Sequence, residues 1–113
     1  MKTGIELITE ERQKQITKHG FTAEHHALNS EKWYKEYQLT TCASLLIHQD
    51  QENGLNDALI DLGKSQLNNW DLDWFDNMMR RPDKERLIIA GALIAAELDR
   101  LNYIEENNIS GRV

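Results

Sequence analysis

Between Leu87 and Ala96 the chain reads LIIAGALIAA, ten consecutive residues without a polar side chain, in a protein whose mean hydropathy is -0.65. A surface helix keeps one polar face, so a helix that is apolar all round has to be covered all round. With 113 residues the chain makes one domain around a single modest core. So small a chain has little material for such covering. The stretch therefore predicts a central helix packed on several sides, with a second subunit among its neighbours. Ala90, Gly91, Ala92, Ala95 and Ala96 are small, whereas Leu87, Ile94, Leu98 and Leu101 form a bulky stripe opposite them. Gly is roughly 1 kcal/mol worse than Ala inside a helix, so Gly91 marks a close backbone approach. Two unlike sides imply two different neighbours, at a subunit interface or by packing within one chain.

The remaining signals are helical too. Thr3-Gly4-Ile5-Glu6 fits a capping box. Ile5, Ile8, Gln15 and Ile16 then draw a thin stripe that ends at Gly20, with Ile5 and Ile8 marking the buried side and Glu11 and Arg12 near its border. Residues 21–29, FTAEHHALN, read as a connector, and Ser30 as the N-cap of a second helix over about 31–48. In that helix Leu39, Cys42, Ala43, Leu45 and Leu46 recur at helical spacing. HQDQENG, residues 48–54, is a polar turn, followed by a short helix from Leu55 that ends near Gly63. Residues 70–83 are aromatic without a clear period and read as a loop closed by Pro82, with Asp83 capping a last helix over 84–106. No repeat, heptad or alternating run is present. The expectation is an all-α domain over residues 1–113: a compact helical bundle with a central apolar C-terminal helix, oligomeric, with a variable insertion at 50–68 and a tail at 107–113.

Thirteen basic residues against nineteen acidic ones give a formal charge of -6. Binding along a nucleic-acid backbone depends on Lys and Arg displacing counterions, so that balance argues against a nucleic-acid polymer as partner. A small nucleotide needs only a local cluster of donors or a metal ion and stays open. The lone Cys42 excludes an intrachain disulfide and cannot build a thiolate zinc site by itself. A reduced, cytoplasmic setting is expected. The start, MKTGIELITEERQ, turns acidic too soon for a secretory signal. The apolar run near the C-terminus falls short of the about 20 residues that span a bilayer, so no membrane partner is expected.

Three groups of residues have the chemistry for a site. Glu6, Glu10 and Glu11 share the first helix, with Glu6 and Glu10 one turn apart, and carboxylates so placed can hold Mg²⁺. They fit a solvated face equally well, since Glu10 precedes Lys14 by four residues. Glu97 ends the apolar run on a face with Ala90, Leu93 and Leu101, where a carboxylate needs a partner, Arg12 or Arg100, or else serves a metal. His25 and His26 are adjacent, so they point different ways; one of them is a candidate base, phosphate donor or ligand. His19 and His48 read as surface residues at helix ends. Trp70, Trp74 and Phe75 accompany Arg80 and Arg81: rings that stack a base, guanidinium forks that fit a phosphate. The same tryptophans would equally plug the end of a bundle. No nucleophile elbow, phosphate-binding loop or Cys/His box is present, and Ser44 and Cys42 have no base near them in sequence.

GIELITEERQKQITKHGFTAEHH, the tryptophan-rich segment and RLIIAGALIAAELDRL resemble a set of small phage and bacterial proteins. Their outline is a Glu-Glu-Arg helix, a Gly-aromatic-Thr-x-Glu-His connector and an Ala-Gly-Ala-Leu-Ile helix. More remotely the chain is similar to the all-α MazG-type nucleoside triphosphate pyrophosphohydrolases, oligomers that bind Mg²⁺ through Glu/Asp clusters. The resemblance implies a nucleotide-sized pocket between helices. In that family a Glu pair is followed three residues on by another Glu; here Glu10-Glu11 is followed by Lys14. A Glu-x-x-Asp motif is replaced by Glu97-Leu98-Asp99, whose carboxylates diverge by about 200° around the helix axis.

The leading expectation is therefore a homo-oligomer that captures a nucleotide-type ligand without turnover, such as a phage counter-defence protein sequestering a cyclic nucleotide signal. Glu11, Arg12, His25, His26, Trp70, Trp74, Arg80 and Arg81 would form the site, and no cofactor is required. One alternative is a Mg²⁺-dependent nucleoside triphosphate pyrophosphohydrolase with the metal on Glu6, Glu10, Glu11 and Glu97. The other is a protein–protein interaction module.

Overall fold

Thr3 and Gly20 bracket the first element of the fold as their residue types dictate. In the computed structural model, which describes residues 1–29, 37–49, 57–67 and 70–107, helix α1 spans Gly4–His19. Thr3 Oγ1 accepts from the Glu6 amide at 3.2 Å and Glu6 Oε1 accepts from the Thr3 amide at 3.1 Å, so the capping box is formed. The Thr3 amide, and after it the Thr3 hydroxyl, hold the Glu6 carboxyl below the usual carboxylate range. Gly20 ends the helix at φ 68°, a left-handed conformation that glycine adopts without a Cβ penalty.

Five further helices follow among the described residues: α2 (Ala23–Leu28), α3 (Gln38–His48), α4 (Asp57–Gln66), α5 (Leu72–Met79) and α6 (Asp83–Glu106). No strand occurs among those residues, so the all-α expectation holds. Two segments expected to be irregular are helical. In the connector, Thr22 accepts from the His25 amide at 3.0 Å and starts α2, a helix too short to show a period. In the aromatic segment, Asp71 accepts from the amides of Asp73 and Trp74, and the apolar Leu72, Phe75, Met78 and Met79 take one side of α5. Helix α4 continues through Gly63 to Gln66 instead of ending there. Asp83 is the first residue of α6, not its cap: Pro82 holds that position, and the Asp83 carboxylate turns to Arg86. The expected Ser30 cap, the start of the second helix at 31 and most of the polar turn lie outside the described residues.

Helix α6 is central, packed against α1, α2 and α3, while α4 and α5 lie on α3. The core joins Leu39, Cys42 and Leu46 of α3 to Phe75 and Met79 of α5 and to Leu93 and Ala96 of α6. Arg86 reaches from α6 to the end of α3, donating to the carbonyls of Leu46 at 2.6 Å and Gln49 at 2.5 Å, so it serves the acceptors that a helix terminus leaves over.

The covering of α6 is one-sided within the chain. Its small residues Ala90, Ala92 and Ala96 are buried, whereas Leu87, Ile94 and Leu98 are 56%, 43% and 58% exposed. Gly91 meets Ile8 of α1, which is the close approach expected of it. On α1 the expectation is corrected: Ile5 is 80% exposed, and the two buried side chains are Arg12 and Gln15. The inner face of α1 therefore carries buried polar groups, with Arg12 paired to Asp99 of α6, beside the apolar contact of Ile8 with Gly91. No helix among the described residues is long and apolar enough to cross a membrane.

Candidate functional site

Arg12 is the residue from which the site grows. It lies under α1, where its Nε and Nη2 donate to Asp99 at 3.0 and 2.9 Å and its Nη1 donates to the Phe21 carbonyl at 2.7 Å. Phe21 thereby sits just beyond the Gly20 cap, and its ring gathers others around it. His25 stacks parallel to it at 6.2 Å, His26 lies tilted at 5.4 Å, and Trp74 meets it edge-on at 5.7 Å. Trp70 adjoins Trp74 at 6.1 Å, and His19 stands 6.0 Å from Trp74. Trp70, Trp74, Phe21 and His25 are half-buried, so this aromatic group has a face toward solvent.

Beneath it lies a buried polar layer. Arg100 donates from Nε and Nη2 to Glu97 at 2.6 and 3.1 Å, a bidentate pair one turn apart on α6. Arg100 and Glu97 are 1% and 6% exposed. His26 is fully buried, and burial lowers its pKa to about 3, helped by the positive fields of Arg12, His25 and Arg100. At neutral pH the imidazole is therefore uncharged. Gln15, 2% exposed and one turn beyond Arg12, has an amide oxygen that makes no hydrogen bond among the described residues. Burying so many polar groups is unfavourable unless they are paired, and perturbed titratable groups gather at functional sites more than elsewhere.

Five of the eight residues expected to bind ligand, Arg12, His25, His26, Trp70 and Trp74, thus meet around Phe21. The other three do not join them. Arg80 caps α5 about 9 Å along the axis from Trp74. There it chelates Asp76 at 3.1 and 3.4 Å, with Asp57 and Lys64 nearby, and its hydrogen bond keeps the Asp76 carboxyl below its usual range. Arg81 and Glu11 share a different place, a cleft of about 280 Å³ between α1 and the start of α6. Leu7, Ile88 and Ile89 form its apolar floor, and Glu10, Glu11, Lys14, Arg81 and Glu85 stand around it.

The four carboxylates expected for a metal have separate partners. Glu6 belongs to the cap, Glu10 pairs with Lys2, Glu11 lies 3.8 Å from Lys14, and Glu97 holds Arg100. Among the described residues no three His, Cys, Asp or Glu side chains gather as a metal site would require. The expected partner of Glu97 is one of the two named from sequence, Arg100, while Arg12 takes Asp99. His19 and His48 are exposed at helix ends, as expected.

Sequence reasoning missed Phe21, Asp99 and the site role of Gln15, which it placed on the apolar stripe. The signal was there in α1: between Ile8 and Ile16 no apolar residue occurs, so the inner turn of the helix had to present Arg12 and Gln15. Compared with known proteins, the chain matches no family model, no curated protein and no solved structure.

Proposed function

We propose that this protein captures a small nucleotide-type ligand at the cluster around Phe21 and holds it without turnover. The observation that supports this reading is the meeting of half-exposed rings with buried guanidinium groups at one place. Trp74 and Trp70 would stack a base, since aromatic faces accept any nucleobase. A guanidinium carries five N–H donors, so Arg12, anchored by Asp99 and the Phe21 carbonyl, has further N–H groups to offer a phosphate. His26 adds no charge. The resemblance to small phage proteins makes sequestration of a cyclic nucleotide signal the biological setting of the proposal. Self-association belongs to the same reading, because Leu87, Ile94 and Leu98 form an exposed apolar row on α6 that a second copy would cover.

The test is to incubate the protein with mono-, tri- and cyclic nucleotides, remove free ligand, and identify what heat denaturation releases. An intact nucleotide, with a raised Tm for the complex, supports capture. Absence of any Tm shift across the panel rejects it in favour of an interaction module. Sedimentation in the same buffers reads the oligomeric state, and a monomer at all concentrations rejects the self-association.

A second reading has one observation of its own. Glu10, Glu11 and Glu85 line the cleft beside Lys14 and Arg81; they form no three-carboxylate metal cluster, but Mg²⁺ carried in on a triphosphate needs only one or two carboxylates, and such a site would make the protein a pyrophosphohydrolase. Mg²⁺-dependent release of pyrophosphate from a nucleoside triphosphate, lost in Glu10→Gln or Glu11→Gln, would replace the first reading with this one.

A further inference from the structure

Helix α1 buries two side chains, and both are polar. Arg12 is engaged by its surroundings, by ion pair to Asp99 and by hydrogen bond to the Phe21 carbonyl. Gln15 is not: its side chain is 2% exposed, yet Oε1 makes no hydrogen bond among the described residues. A buried amide oxygen without a donor is unfavourable by about 1–3 kcal/mol. Native structures keep such atoms rarely, and those they keep call for an explanation. Gln15 lies three residues after Arg12, on the same face of α1, and its own backbone carbonyl accepts from the Phe21 amide at 3.1 Å. The orphaned oxygen therefore belongs to the turn of helix that supports the aromatic and arginine cluster.

We infer that Gln15 is the specificity-determining residue of the site, and that its amide reads a ring edge carrying an N–H donor beside an acceptor, as on an aminopurine. The inference rests on the nucleotide-capture reading and deepens it. A primary amide presents an acceptor oxygen and donor hydrogens side by side, and this pair is the complement of adenine N6–H and N7. A ligand bound in this way supplies the donor that Oε1 lacks. A ring without the exocyclic amine leaves the oxygen without a donor in the complex too, and is disfavoured for that reason.

Two measurements test the inference. The first needs no ligand. Gln15→Met replaces the amide by an apolar chain of similar length, and the free protein should keep or raise its Tm, since an unsatisfied acceptor has been removed. A Tm lowered by several degrees would mean that Oε1 is satisfied in solution, and the inference is overturned. The second compares AMP with purine riboside 5′-monophosphate, which differs only in lacking the N6 amine, by titration calorimetry. Loss of the amine should weaken binding to the wild type by about tenfold or more, and Gln15→Met should bind the two alike. Equal affinity of the wild type for both ligands defeats the role of Gln15 and leaves nucleotide capture standing. If neither nucleotide nor any other in the panel binds, capture fails and the inference falls with it.

Discussion

The Cδ1 atom of Ile8 lies 2.6 Å from where a Cβ on Gly91 would stand, so α1 and α6 touch through the absence of a side chain. Gly63 is in the same position under Phe75, whose Cζ lies 2.2 Å from the corresponding point, with Leu45 Cδ1 at 3.0 Å. The two sites differ in what can move. Ile8 is half-buried and offers the flexible end of its chain, whereas Phe75 is a fully buried ring. Gly63→Ala should therefore destabilise by about 1–3 kcal/mol through overpacking. Gly91→Ala should stay within about 1 kcal/mol of wild type, because Ala gains roughly 1 kcal/mol of helix propensity against the displacement of the Cγ1–Cδ1 arm of Ile8, whose two atoms lie 2.9 and 2.6 Å from the added Cβ. Urea unfolding midpoints of the two variants decide it, and equal losses would contradict the distinction.

Cys42 makes the core accessible to a chemical probe. Its side chain is fully buried among α3, α5 and α6, and burial pushes the thiol pKa well up. The thiolate is the reactive form, so native protein should react with a thiol reagent only as fast as it unfolds. Addition of urea through the transition should release one equivalent at the usual rate for a free thiol. Rapid labelling of the native protein would mean that the α3–α6 seam opens locally.

Elements whose apolar residues repeat over several turns could be read from the sequence. Those stabilised by a single cap could not. Helix α3 and helix α6 declare themselves by Leu39, Cys42, Leu46 and by the run from Leu87, and Gly91 and Glu97 have the neighbours their positions demanded. Helices α2 and α5 are six and eight residues long, and each depends on one capping side chain, Thr22 or Asp71, that in a single sequence looks like any loop residue. The site was half visible for a related reason. Residues such as His25, His26 and Trp74 stand out by type, but Gln15 and Asp99 matter by position alone, and position came only with the packing of α1 on α6.

The pair Glu97–Arg100 should carry much of the stability of the buried layer. Its geometry is bidentate and both side chains are nearly inaccessible. Removing one member of a buried ion pair typically costs about 3–5 kcal/mol, whereas replacing both by apolar groups is often neutral. Glu97→Gln should thus be strongly destabilising in urea. The double variant Glu97→Leu with Arg100→Met should recover most of that loss. A double variant that is less stable than Glu97→Gln would show that Arg100 serves the fold through other contacts.

His26 gives the stability a defined pH dependence. Its folded pKa is about 3 against about 6.5 for an unperturbed histidine, so the folded state refuses a proton that the unfolded chain accepts. Above pH 6.5 neither state is protonated and the stability is fully present. As the pH falls from 6.5 toward 3 the unfolded state gains a proton first, and stability should decline by about 1.4 kcal/mol per pH unit on account of this group. The measurement is a difference, which isolates this group: urea stability of wild type minus that of His26→Gln, taken at half-unit steps from pH 7.5 to 4.5. Gln cannot take up the proton, so the difference should be flat above pH 6.5 and then fall with that slope. A difference independent of pH throughout would mean that His26 is protonated in the folded protein, and that the layer beneath Phe21 admits charge.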